Sequence, residues 1–98
     1  YIMQKTDVLL SAIGKLVVSL RSVTMDQTEL GQRVGVGRNT ISSIENGKAV
    51  NAETLFNVLE HLGVIEDFQE VIEQRLAQQT TALSRKSRKD VQELDNDF

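Results

Sequence analysis

The chain is 98 residues long, 40% hydrophobic and 26% charged, with 4% aromatics and no Trp, Pro or Cys. That length suits one small domain built on Leu, Ile and Val. The lack of Cys excludes a disulfide scaffold, a thiolate zinc site and a cysteine nucleophile, and the lone His61 cannot build a histidine-rich metal site. No cofactor is expected.

The net charge of −3 and pI of about 5.1 argue, taken alone, against a nucleic-acid binder. The average hides a gradient. Residues 21–50 hold four basic residues (Arg21, Arg33, Arg38, Lys48) against three acidic ones (Asp26, Glu29, Glu45). Residues 51–78 hold only Arg75 against Glu53, Glu60, Glu66, Asp67, Glu70 and Glu73. The last twenty residues carry a basic cluster, Arg85, Lys86, Arg88 and Lys89, followed by Asp90, Glu93, Asp95 and Asp97. Partners are set by these segments rather than by the mean. Apolar runs are too short to span a membrane, and no signal-peptide pattern appears. The expected location is cytoplasmic. The chain opens on Tyr1 rather than Met, and residues 1–4 carry no functional signal.

The first predicted helix covers residues 7–21. Leu9, Leu10, Ile13, Leu16, Val17 and Leu20 recur at the spacing of one helix face, and Thr6 or Asp7 can cap the start. A second, short helix begins at Asp26, where Asp26 and Glu29 have capping-box spacing, and Gly35 can end it in the left-handed conformation. Gly35-Val36-Gly37 forms a tight turn. A third helix runs from Arg38 to about Asn46, with Ile41 and Ile44 inward and Asn46-Gly47 closing it. Asn51 caps a fourth helix, with Leu55, Val58, Leu59 and Leu62 as its apolar set, and Gly63 stops it. A fifth helix reads from about Glu66 through Ala77, with Ile65, Phe68, Ile72 and Leu76 on one stripe. Leu83, Val91 and Leu94 are the only apolar anchors between Gln78 and Asp97, a polar stretch that continues the helix or forms another. No segment alternates with period two, so no strand is expected. The domain is taken as 7–78, and 79–98 as a polar C-terminal tail.

The informative segment is 27–48. Two short helices flank a turn containing Gly35, the arrangement in which a second helix enters the DNA major groove. Gly31 is small where the two backbones must approach. Glu45, acidic beside this face, is expected to pair with Arg33 or Arg38 or to cap locally. A Gly35-Val36-Gly37 dinucleotide loop is discarded because no strand precedes it. Ser42, Ser43, His61 and nearby acids have no spacing that supports a hydrolytic triad, so no enzyme is expected.

Gln27-Thr28-Glu29-Leu30-Gly31-Gln32-Arg33-Val34-Gly35-Val36 and Thr40-Ile41-Ser42-Ser43-Ile44-Glu45-Asn46-Gly47-Lys48 resemble the Cro/C1-type (XRE) phage-repressor family. The resemblance extends over residues 16–64. It departs from the family at Gly31, where Ala is usual, and at Gly37, where Ser or Thr commonly caps the recognition helix. It implies an all-α, five-helix, lambda-repressor-like DNA-binding domain. Arg38, Asn39, Ser42 and Ser43 would then read base edges; Arg suits guanine and Asn adenine. Gln27, Thr40 and Lys48, with the backbone of Asn46 and Gly47, would bond phosphate and fix register. A homodimer on a palindromic operator is expected, since one recognition helix covers too few base pairs. Ile65, Phe68, Ile72 and Leu76 are its expected interface, with Leu83 as an extension.

More weakly, the 55–68 segment, Leu55-Phe56-Asn57-Val58-Leu59-Glu60-His61-Leu62-Gly63-Val64-Ile65-Glu66-Asp67-Phe68, with the basic 85–89 stretch, looks like the antitoxins encoded beside HipA-type kinase toxins. That resemblance implies a repressor of its own operon with a kinase partner. The tail, too polar to form a core alone, would dock in a partner's groove with Phe98 as an apolar anchor or order against the domain. Some of those antitoxins pair a strand across the dimer. Residues 65–72 read as helix here, which favours a helical dimer. The alternatives are a phage-type or restriction-controller regulator with no toxin, and an interaction module without DNA binding.

Overall fold

The structure is a computed structural model that describes residues 4–89, with side chains as far as Leu83. Val91, Leu94 and Phe98 lie outside the described residues, as do the side chains of the 85–89 cluster. Five helices follow one another: α1 (Lys5–Arg21), α2 (Gln27–Val34), α3 (Arg38–Glu45), α4 (Ala52–His61) and α5 (Ile65–Lys89). No strand occurs among the described residues, as the absence of period-two patterning requires. The chain divides into two units, Tyr1–Ile65 and Glu66–Phe98.

In the first unit α3 packs against both α1 and α2, and α4 packs on α2. The core is aliphatic: Ile13, Val17, Leu30, Ile41, Ile44, Val58 and Leu59, all within 8% of full burial. Each such side chain contributes about 1.5–3 kcal/mol when removed from water. Leu10, Leu16, Leu20, Leu55 and Leu62 are half-buried around it. Leu9, expected on the inner face, is 58% exposed. The buried arc of α1 centres on Ile13, Gly14 and Val17, and Leu9 lies roughly 90° round the helix from that centre.

The helix starts follow their caps. Asp26 accepts from the Glu29 backbone N–H at 2.8 Å, and Asn51 accepts from those of Glu53 (2.8 Å) and Thr54 (3.3 Å). Two expectations are corrected. The first helix begins before Thr6 and Asp7, with Gln4 at the cap position and no side-chain cap bond. The capping box at α2 is half made: the Glu29 carboxylate turns outward to Arg33, at 2.9 Å, instead of reaching back.

In the second unit α5 runs past Ala77 to Lys89, so the polar tail continues the helix. Ile72 (59%), Leu76 (60%) and Leu83 (48%) stay exposed along it.

Candidate nucleic-acid interface

The turn between α2 and α3 sets how the third helix is presented. Gly35 adopts φ 90° and ψ 28°, a conformation that β-carbon-bearing residues rarely take. The Gly35 and Val36 N–H groups both donate to the Gly31 carbonyl at 2.8 Å, closing α2. Gly31 is required by contact: a β-carbon there would stand 2.7 Å from the Val36 carbonyl oxygen. The chain then enters α3 through Gly37, whose extended backbone (φ −77°, ψ 161°) brings no capping side chain. The Thr40 N–H reaches the Gly37 carbonyl at 3.1 Å.

α3 has two chemically distinct faces. Ile41 and Ile44 are buried against α1 and α2. Arg38 and Asn39 are exposed on the first turn, and Ser42 and Ser43 are half-buried one turn on. Asn46 is exposed, and its amide donates to the Ser42 hydroxyl at 3.4 Å. Thr40 and Gly47 are half-buried, while Lys48 is exposed beyond the helix. The expected residues thus share one short helix and the loop after it, apart from Gln27.

Gln27, at the start of α2, is tied into a network that sequence reasoning missed. Its amide donates to Glu45 Oε1 at 2.8 Å. The Glu45 carboxylate also takes Arg21 Nε at 2.6 Å and Arg21 Nη2 at 3.2 Å, a two-pronged charge-assisted pair. Arg21 Nη1 donates onward to the Met25 carbonyl at 3.1 Å. The Glu45 side chain is 5% exposed and that of Arg21 13%. This corrects the expected pairing of Glu45 with Arg33 or Arg38. Arg33 holds Glu29 instead, and among the described residues Arg38 is in no ion pair. Glu45 thus ties the last turn of α3 to the end of α1 and the start of α2. Its pairing with Arg21 removes a negative charge from the face that Arg38 occupies.

Two glycines seat the far end of α3, and one of them gave a signal in the sequence. A β-carbon on Gly14 would lie 2.6 Å from the Ile44 carbonyl oxygen and 2.7 Å from that of Glu45. Gly14 stands inside a helical pattern, where glycine costs about 1 kcal/mol relative to Ala, and such a position often marks a close approach of backbones. A β-carbon on Gly47, at φ 75°, would stand 3.2 Å from the Ser11 α-carbon.

Residues 20–67 match the model of the helix-turn-helix family. This segment is a Cro/C1-type helix-turn-helix domain. It spans the end of α1, the two helices and their turn, α4 and the start of α5. No curated protein and no solved structure matches the chain. The helix-turn-helix family is one of DNA-binding transcription regulators and is typically non-enzymatic. Among the described residues no helix is long and apolar enough to cross a membrane, and no group of His, Asp and Glu could hold a metal ion.

Proposed function

We propose that this helix-turn-helix protein is a sequence-specific repressor that binds a palindromic operator as a homodimer. The observation that carries the reading is the division of α3. One face is anchored by Ile41 and Ile44, while Arg38 and Asn39 stand exposed on the first turn, where a groove-inserted helix meets base edges. Arg38, Asn39, Ser42 and Ser43 read bases. Gln27, Thr40, Asn46, Gly47 and Lys48 bond phosphate; the second amide hydrogen of Gln27 serves, since the first is given to Glu45. Ile65, Phe68, Ile72 and Leu76 join the two copies. The test selects a preferred duplex from a random pool and compares variants on it across salt. Arg38→Ala costs about 1–3 kcal/mol and relaxes preference at one base pair, whereas Lys48→Ala weakens all sequences alike and flattens the salt slope by about one. Unchanged affinity for Arg38→Ala would show that the helix is docked in another register.

A second reading makes the protein the antitoxin of a HipA-type kinase that represses its own operon. Glu66, Asp67, Glu70 and Glu73 support it. All four are exposed on α5, on the side away from the apolar stripe, and would speed association with a basic partner. Co-expression with the neighbouring gene product, purified through one tag at low salt, tests it. Retention that disappears on charge reversal of Glu66, Asp67 and Glu70 supports the kinase partner. If nothing is retained, the regulator acts alone.

A further inference from the structure

We infer that two copies of this chain pair antiparallel along α5, with the two-fold axis passing between Ile72 and Leu76. The inference rests on the homodimer proposed above and adds its geometry. At about 100° per residue, Ile65, Phe68, Ile72, Leu76, Gln79 and Leu83 fall within an arc of roughly 80°. Ile72, Leu76 and Leu83 are about half exposed or more, and Ile65 and Phe68 are half-buried, so the stripe is open to a partner from Ile72 onward and partly open before it. Ile65 and Leu76 stand eleven residues apart, as do Ile72 and Leu83. An eleven-residue repeat drifts by only about 20° on a straight helix, so two such stripes can meet along this short length with a slight right-handed supercoil.

Charge chooses the direction. The first third of α5 carries Glu66, Asp67, Glu70 and Glu73, and the sequence puts Arg85, Lys86, Arg88 and Lys89 in its final turns. A parallel pair would stack acid on acid and base on base at equal height, with axes about 8–10 Å apart. Because the acids stand off the seam, the repulsion between them is screened at physiological salt and grows as the salt is lowered. An antiparallel pair removes both stacks and brings each acidic end toward the partner's basic end. The helix dipoles also oppose, a smaller gain. Antiparallel alignment fixes a register. Ile72 meets the partner subunit's Leu76, Phe68 meets the partner subunit's Gln79, and Ile65 meets the partner subunit's Leu83.

The absence of Cys makes the test clean, because any introduced thiol is the only one in its chain. Full-length Ile65→Cys and Leu83→Cys chains, one carrying a tag, are mixed, equilibrated and oxidised. The expected result is a covalent dimer containing both chains in the mixture and almost none from Leu83→Cys alone. Phe68→Cys mixed with Gln79→Cys is the second pair and should behave alike; circular dichroism checks that each variant keeps its helix. Self-crosslinking of Leu83→Cys alone means a parallel pair and overturns the inference. A wild-type dimer in sedimentation with neither pair crosslinking rules out this pairing, which overturns the inference and leaves the homodimer standing. A wild-type monomer, with or without DNA, removes the homodimer as well.

Discussion

Glu45 and Gly14 decide how firmly α3 is held. Arg21 and Glu45 are nearly buried, so removing one partner strands the other charge. Breaking a pair of this kind costs about 3–5 kcal/mol, while replacing both partners with apolar groups of similar volume is often close to neutral. Glu45→Ala should therefore lower stability by about 3 kcal/mol in urea denaturation, and Arg21→Met with Glu45→Leu should recover most of it. If the double variant were as unstable as the single, the stability would come from packing at the site rather than from charge. Gly14→Ala sets two opposing terms against each other. Helix propensity favours Ala by about 1 kcal/mol. The added methyl meets two backbone carbonyl oxygens under 3 Å away, and neither can swing aside. The contact should win, and the urea midpoint should fall.

At the scale of single elements, α3 starts without a side-chain cap bond. Gly37 caps it without a side chain, and a β-carbon there meets nothing within 4 Å. Gly37→Ser should add a hydroxyl acceptor without strain, stabilising by a few tenths of a kcal/mol. Thermal unfolding should then rise by about 2 °C; a fall would mean that the hydroxyl does not reach the free N–H groups. The helices themselves were legible in the sequence because each carries its apolar set at helical spacing and five of their ends carry Asp, Asn or Gly signals. Where boundaries missed, local signals competed with position. Thr6 and Asp7 are good capping residues, yet α1 starts upstream of both. After Ala77 the polar composition left continuation or a second helix open; nothing there breaks a helix, and α5 continues to Lys89. The exposed candidates Arg38 and Asn39 follow directly from the inward spacing of Ile41 and Ile44. The Arg21–Glu45–Gln27 network did not, because Arg21 and Glu45 meet across 24 positions and no local pattern encodes that contact.

For the whole molecule, affinity depends on whether two recognition helices act as one ligand. A single domain spends its binding on a few base pairs and on phosphates common to all DNA. Joining two makes the second contact intramolecular, a gain of about 10²–10⁴ in apparent affinity when both half-sites can be reached. Ile72 is the residue on which to test this coupling, since it is 59% exposed and a charge there need not disturb the folded chain. Ile72→Asp should sediment as a monomer with unchanged helix content. Its affinity for the full palindrome should drop by about two orders of magnitude or more, while its affinity for an isolated half-site stays that of the wild-type chain. Lengthening the spacer between half-sites by about five base pairs, half a helical turn, should weaken the wild type and leave the variant indifferent. A variant that remained dimeric, or a wild type indifferent to spacing, would mean that the two recognition helices are not coupled through α5.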